Sequence, residues 1–412
     1  MAPATNDEST PPRVAIPGPI IIGAGPSGLA VAASLQRLSV PSLLIERSDS
    51  IAHLWNHQTY NRLSLHLPKH LCHLPHLPMP KTFPTYPTKS QFMSYLISYT
   101  QSFSLKPIFN STAVSARFDP VGVVWRVVVA RAGAGEVEYE SRWLVVATGE
   151  NAEPVVATEE QAMGGFDGKK VHSAEYRTGE EFKGERVLVV GCGNSGMELC
   201  LDLVEHGATP FMVVRSGVHV LPKEILGIST FGLAMNMLKW FPVKMVDRFL
   251  VMMAKTMLGD TEKYGLKRPK LGPLELKKTT GKTPVLDIGT LSFIKTGKIK
   301  IVPEVECLTQ KGAKFVNGQE MQFDAVIFAT GYRSNVPYWL KVAKNDTQDC
   351  DFFTKEGKPK SQFPNSWKGD NGLYCAGFTG KGLLGAGTDA VKIASDVARQ
   401  WRALLENKRV VS

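Results

Sequence analysis

One pattern, written twice, constrains this chain more than anything else in it. "IIIGAGPSGLAVAASLQ" carries Gly23, Gly25 and Gly28 at the spacing G-x-G-x-x-G, after the short β-branched run Ile20–Ile22 and before a helix-forming stretch. "VLVVGCGNSGMELCLDLV" carries Gly191, Gly193 and Gly196 at the same spacing, between the same kinds of neighbour. That order reads as a buried parallel strand, a tight turn and a helix. The first glycine of each set permits the turn, the second lets the backbone approach a pyrophosphate, and the third lets helix and strand pack closely. The free N–H groups and positive dipole end of the helix then face the phosphates.

The strand beyond each turn ends on a charge, and the two charges are opposite in sign. The strand of "SLLIER" ends at Glu46, 23 residues past Gly23, and that of "PFMVVRS" ends at Arg215, 24 residues past Gly191, with Ser216 next. A carboxylate accepts hydrogen bonds from a ribose diol and repels a 2′-phosphate, whereas a guanidinium grips that phosphate with a charge-assisted fork. The first site is therefore read as one for an unphosphorylated adenosine ribose, as in FAD, and the second as one for NADPH.

The expected fold is α/β, with two Rossmann-like dinucleotide-binding domains, the second inserted in the first, and a small β-meander. "WLVVATGE" and "DAVIFATGY" are apolar strands closed by Ala-Thr-Gly, and they are read as the exit from the first domain and the re-entry to it. The FAD domain is then expected over 16–165 and 326–412, and the NADPH domain over 166–325 with an inserted segment at 222–290. Residues 1–15 are expected to be a disordered tail. Alternation and turns between Phe103 and Gly149 predict the meander. The last segment, "GLYCAGFTGKGLLGAGTDAV" and onward, reads as a strand, a glycine-rich turn and a closing helix aimed at the first cofactor.

Composition narrows the function. The 412 residues suit two domains, and a net charge of +10 suits anionic small molecules. No Lys/Arg run is interleaved with aromatics, so no nucleic-acid partner is expected. "MAPATNDESTPP" has neither the cationic start nor the apolar core of a secretory signal. No stretch offers about 20 uncharged apolar residues for a membrane span. The cysteines at 72, 192, 200, 307, 350 and 375 show no C-x-x-C spacing, which fits reduced thiols in a cytoplasmic setting. A disulfide reductase would need a redox pair soon after the first turn, and only Cys72 is there. His66, His70, Cys72, His73 and His76 lie in a proline-rich run without ligand spacing, so no metal is expected. The apolar stretch from Ile225 to Leu258, with Trp240 and Phe241, is broken by Lys239, Pro242, Lys244, Asp247 and Arg248. It reads first as a substrate-tunnel cover or subunit contact, and second as a peripheral membrane contact.

"FDGKKVHSAEY", just before the second turn, is too polar for a core strand and too glycine-broken for a long helix, so it reads as a loop. Its Phe166, Gly168, His172 and Tyr176 fit F-x-G-x-x-x-H-x-x-x-Y, which resembles the fingerprint of class B flavin monooxygenases. The two turns and the Ala-Thr-Gly strands come in that family's order, from Ile20 to the last helix. Four further stretches, "RLSLHLPKHLCHLPHLPMP", "LPKEILGISTFGLAMNMLKWFP", "LGPLELKKTTGKTPVLDIGTL" and "GFTGKGLLGAG", resemble the plant YUCCA branch. The resemblance implies an FAD- and NADPH-dependent monooxygenase that decarboxylates indole-3-pyruvate oxidatively to the auxin indole-3-acetic acid, using O₂ through a flavin C4a-(hydro)peroxide. It also implies a cytoplasmic enzyme with peripheral association to the endoplasmic reticulum. Two alternatives stay open at this point: a flavin monooxygenase acting on nitrogen or sulfur, and an NADPH-dependent flavoprotein reductase that does not oxygenate.

Site residues follow from the motifs and the resemblance. Gly23, Gly25, Pro26, Ser27, Gly28, Glu46 and Arg47 are expected on the ADP half of FAD, with Leu54 and Trp55 nearby. Thr148, Gly149, Thr330, Gly331, Leu383 and Leu384 are expected towards the flavin. Gly191, Gly193, Asn194, Ser195, Gly196, Arg215 and Ser216 are expected on NADPH. Broader flavin monooxygenases have an Asn near the flavin, in a segment matching "YNRLSLHLPK"; this chain has His66 there. His66 is the catalytic candidate, and a loop histidine packing beside Pro68 is the other reading of it. His172 is not expected to touch substrate.

Overall fold

Ile20–Ile22, wholly apolar and β-branched, is the central strand of a parallel sheet, as a strand covered on both faces must be. The computed structural model describes residues 11–156, 165–341, 352–361 and 364–411. This first sheet runs Leu373–Cys375, Leu144–Val146, Ile20–Ile22, Leu43–Ile45, all parallel. Its pleat divides the side chains between two cores. Ile21, Val145 and Tyr374 pack under the helices Pro26–Arg37, Lys89–Ser102 and Gly382–Val411, while Ile20, Ile22, Leu144 and Val146 pack against Trp125, Val127 and Val129 of the meander. A capping box starts Lys89–Ser102: the Thr88 hydroxyl accepts from Gln91 N, and Gln91 Oε1 accepts from Thr88 N.

The meander is Ser111–Asp119, Val124–Arg131 and Gly135–Ser141, antiparallel throughout. Arg13–Ala15, expected in the disordered tail, is instead a parallel edge strand on Gly135–Ser141, and Arg13 Nε meets Glu138 Oε1 at 2.8 Å. All three of its residues are exposed, so it carries no apolar alternation to betray it. Residues 1–10 of that tail lie outside the described residues.

The second sheet runs Lys300–Val302, Thr209–Val213, Arg186–Val190, Ala325–Phe328, Lys169–His172, again all parallel. Two expectations change here. Ala325–Phe328, taken as the re-entry strand of the first domain, is an interior strand of the second sheet, so the return crossing lies beyond Phe328 and not at 326. Lys169–His172, inside the stretch read as a loop, is that sheet's edge strand; an edge tolerates the exposed Lys169 and Lys170 that disqualify a central strand.

The two Ala-Thr-Gly segments therefore hold equivalent places, each closing the strand beside a glycine turn. Between the sheets the two linkers pair antiparallel, Glu153–Pro154 with Tyr332–Arg333. Val220–Pro222 pairs with Val285–Asp287, and the segment between them forms the helices Thr230–Met237, Val243–Leu258 and Pro273–Thr280. Buried Asp247 caps the last of these, accepting from Leu274 N at 2.8 Å and Glu275 N at 3.1 Å. No helix among the described residues is long and apolar enough to cross a membrane.

Candidate cofactor and active site

At the first turn Gly23 adopts φ 106°, and a Cβ there would stand 2.6 Å from the Ala147 carbonyl oxygen. A Cβ on Gly28 would stand 1.9 Å from Gly23 O, so neither position accepts a side chain. Gly25 faces open space, where a pyrophosphate has room. Pro26 opens the helix at a position whose N–H is not needed, and Gly25 offers no side-chain cap, which leaves the first-turn N–H groups for a ligand. Ala52 N donates to Ala24 O, bringing Leu54 and Trp55 to the turn.

Glu46 is buried and held at both oxygens, by Ala24 N at 2.7 Å and Ser48 N at 3.0 Å. It lines a cleft with Gly23, Arg47 and Thr148. Arg47 is turned to the linker, where it meets Glu153 at 2.6 Å and the Ala152 carbonyl at 2.9 Å. The Thr148 hydroxyl is buried without a partner among the described residues.

A residue that sequence reasoning missed completes this end. Asp389, buried on the closing helix beyond Leu383 and Leu384, accepts from Gly377 N at 3.2 Å through Oδ2, while Oδ1 is buried without a partner among the described residues. Burial pushes its carboxyl up to about 6. A Cβ on Gly377 would strike the Ser27 hydroxyl, so this turn presses directly on the first glycine loop. Two orphaned polar atoms and an open cradle at Gly25 fit a bound dinucleotide.

The second turn repeats the geometry. Gly191 adopts φ 127°, with its Cβ position 2.5 Å from Ala329 O. The Gly196 Cβ position lies 2.1 Å from Gly191 O, and Gly193 faces open space. Asn194 Oδ1 accepts from Leu286 N at 3.0 Å, holding the strand that returns from the insert. Arg215 is 72% exposed, and its Nε is 3.8 Å from Glu304. Lys282 Nζ donates to Ser216 Oγ at 3.1 Å, which adds a second cation beside Ser216. Lys282 carries no motif and lies 66 residues downstream, so nothing local could have found it. Thr330 and Gly331, expected beside the flavin, stand at the end of the second sheet, where the Thr330 hydroxyl donates to the Val155 carbonyl across the linker.

The fingerprint residues work at the seam between the sheets. Tyr176 donates to Asp202 Oδ2 at 2.6 Å, and the same oxygen accepts from Gly179 N at 2.7 Å. Arg177 reaches the carbonyls of Ala174 and Tyr176 and, in the first domain, that of His57. A Cβ on Gly168 would collide with Asp324 O at 2.4 Å and the Phe166 ring at 2.5 Å. His172 is buried with Tyr332 edge-on at 5.2 Å, its Nδ1 accepts from Ala174 N, and burial holds its imidazole below the ordinary range.

The strap from Gln58 to Pro68 answers from the other side. Tyr60 packs in the second core and Leu65 in the first, while Asn61 N donates to Arg177 O and Arg62 meets Glu205 at 2.7 Å. His66 Nε2 stands 2.6 Å from Oε1 of Glu198, a buried carboxylate on Asn194–Glu205. Tyr60 is bonded to Glu198 and Ser195, and burial, then Glu198, drives its phenol far up. Lys223 lies 3.7 Å from the Tyr86 ring centre; burial lowers its ammonium, and Glu198 and Glu224 oppose that. On the insert, burial lowers the ammonium of Lys277 while Glu150, just past the first Ala-Thr-Gly, opposes the shift. The histidine-rich run does not gather into a ligand cluster among the described residues; Asp49, His53 and His57 do lie together, two of them exposed.

Residues 17–359 match the family described as flavin-binding monooxygenase-like. Indole-3-pyruvate monooxygenase YUCCA8 of Oryza sativa subsp. indica is 57% identical over 402 residues, covering 96% of this chain and 94% of that one. The chain belongs to this flavin-binding family, in its YUCCA branch. The probable indole-3-pyruvate monooxygenase YUCCA4 of Arabidopsis thaliana is 54% identical over 394 residues, covering 96% and 93%. Among solved structures, a flavin monooxygenase mutant from Stenotrophomonas maltophilia matches with TM-score 0.69 at 21% identity, covering 94% and 99%. An oxidised steroid monooxygenase bound to NADP matches with TM-score 0.73 at 17% identity, covering 96% and 86%. These two share the fold. FAD and NADPH are the cofactors of this flavin monooxygenase.

Proposed function

We propose that the chain converts indole-3-pyruvate, NADPH, H⁺ and O₂ into indole-3-acetic acid, CO₂, NADP⁺ and H₂O. The observation that carries this reading is two dinucleotide cradles stitched at one seam, in a chain 57% identical to an indole-3-pyruvate monooxygenase over nearly its whole length. FAD, when bound, supplies hydride acceptance and oxygen activation. The glycine turns hold the two pyrophosphates. Arg215, Ser216 and Lys282 select the 2′-phosphate. Lys277 and His66, both only half-buried, are the cationic and polar side chains on offer to a 2-oxo carboxylate. A reductase relay finds little support at Cys72, whose thiol donates to the Leu67 carbonyl at 3.6 Å and is pushed by burial up to about 12, far from a reactive thiolate. Purified, yellow protein should form indole-3-acetate and CO₂ in step with NADPH oxidation. NADPH consumption under O₂ without the acid would leave the reductase reading in its place.

The insert favours a peripheral contact with an anionic membrane surface. Leu226 is 90% exposed and Trp240 83%, with Phe241, Met245 and Met252 also exposed and Lys239 and Lys244 beside them. Exposed apolar side chains with lysines beside them fit a lipid interface of opposite charge. The pair Trp240→Ser/Phe241→Ser should abolish sedimentation with phosphatidylserine vesicles. A variant that instead only loses self-association would identify a subunit contact.

A further inference from the structure

One buried charge near the second turn is met from across the domain seam. Glu198 sits on the second-turn helix Asn194–Glu205, one helical turn beyond Asn194, with 4% of its surface exposed. A carboxylate that far from water persists only where partners satisfy it. Those partners come largely from outside its own domain. They are His66 at 2.6 Å and the Tyr60 hydroxyl, both on the strap of the first domain, with Lys223 of the insert interacting from further off.

The chemistry of the contact selects a form of the ring. A carboxylate oxygen only accepts, so a hydrogen bond between this pair, 2.6 Å apart, requires Nε2 to be the protonated nitrogen of His66. The oxygen lies off the N–H axis, since Nε2 has no aligned hydrogen-bond partner among the described residues. Catalytic bonds commonly tighten only when ligands are bound. The helix that carries Glu198 is also the one whose N-terminus faces the second pyrophosphate. Nucleotide binding and the orientation of His66 thus act through one rigid element.

We propose that Glu198 is a positioning residue, which holds the His66 ring in its Nε2–H form with Nδ1 turned free for the reaction, and so ties the state of His66 to occupancy of the NADPH turn. The proposal rests on the reading of His66 as catalytic. The logic is that of a carboxylate orienting a histidine, assembled here across a domain seam.

Two measurements on the FAD-loaded, full-length protein test it. The first is ¹⁵N NMR of the His66 ring, assigned by loss of its signal in His66→Asn. Protonation at Nε2 is expected, and a ring bare at Nε2 overturns the proposal even if no Glu198 variant folds. The second is a double-mutant cycle on product formed per NADPH, using Glu198→Gln, His66→Asn and both. Each single change should lower the yield on the order of tenfold, with NADPH lost to peroxide-forming turnover, and the double should be no worse than the poorer single. Effects that multiply would show that Glu198 does not act through His66. If His66→Asn leaves the yield unchanged while Nε2 is protonated, the catalytic reading of His66 fails and the contact is structural. If Nε2 is bare while His66→Asn loses yield, His66 stands and Glu198 does not.

Discussion

The two glycine turns are almost superimposable in their local logic, and they differ in how the acceptor strand ends. Both first glycines have left-handed φ and would place a Cβ against the carbonyl of the alanine in an Ala-Thr-Gly, at 2.6 Å in one and 2.5 Å in the other. Yet Glu46 is buried and held at both oxygens, whereas Arg215 is largely exposed and its ion pair with Glu304 is a loose 3.8 Å. A group locked into the fold suits a cofactor that stays. A solvated one, free to rearrange, suits a cofactor that comes and goes each cycle. On the proposed assignment the same turn serves a resident and a visitor, and the surroundings decide which.

The sharpest way to break this contrast is to spoil the third glycine of each turn. Gly28→Ala forces a Cβ to 1.9 Å from backbone in the first core, and it should yield protein without bound flavin. Gly196→Ala meets a similar clash at 2.1 Å and should stay yellow while NADPH oxidation falls by roughly a hundredfold, since the loss of about 3 kcal/mol is of that order. Absorbance near the flavin band and NADPH turnover read both, and a colourless Gly196→Ala protein would erase the distinction between resident and visitor.

Next in size is Arg215→Ala. Losing charge-assisted bonds to a 2′-phosphate, each about 1.5–3 kcal/mol, should raise the KM for NADPH at least roughly tenfold and leave that for NADH nearly unchanged. Lys282→Ala should do the same more weakly, and an equal effect on both coenzymes would show that neither cation meets the 2′-phosphate. Lys277→Ala should then raise the KM for the 2-oxo acid several-fold without touching that for NADPH, which initial rates with each substrate varied in turn will show.

The last test is a pH dependence of stability beside the first turn. Folding raises the Asp389 carboxyl from 3.8 to about 6, so the folded state binds the proton more tightly than the unfolded chain does. The stability this contributes is fully present below about pH 4 and is lost as pH rises through 6, at most roughly 3 kcal/mol. Asp389→Asn should therefore be more stable than the parent at pH 8 and match it at pH 4, and thermal melts at the two values check the sign.

Much of this was readable in the chain because it is local. Both turns and the meander follow from glycine spacing and from alternation within one element. What escaped reading is what depends on distant partners. Asp389, Glu198 and Lys282 carry no motif, and each gains its meaning from residues in another part of the fold. Arg13–Ala15 and Lys169–His172 escaped for another reason: edge strands expose their side chains, so the apolar signal of a strand is missing. The second Ala-Thr-Gly strand was recognisable as a strand, but its residues say nothing about which of two parallel sheets it joins. Only the ladder with Arg186–Val190 decides that.

The short ladder of Glu153–Pro154 with Tyr332–Arg333 has a mechanical meaning as well. Both chain crossings between the cofactor lobes run side by side, like two pins on one edge of a door. A swing of one lobe must bend both strands together about a single axis, while twisting or sliding would shear the ladder. The Tyr60–Arg62 strap, bonded to Arg177 and Glu205, then plays the latch. A chain that leaves and re-enters its outer lobe at one place has, by that choice of route, restricted how one lobe can swing on the other.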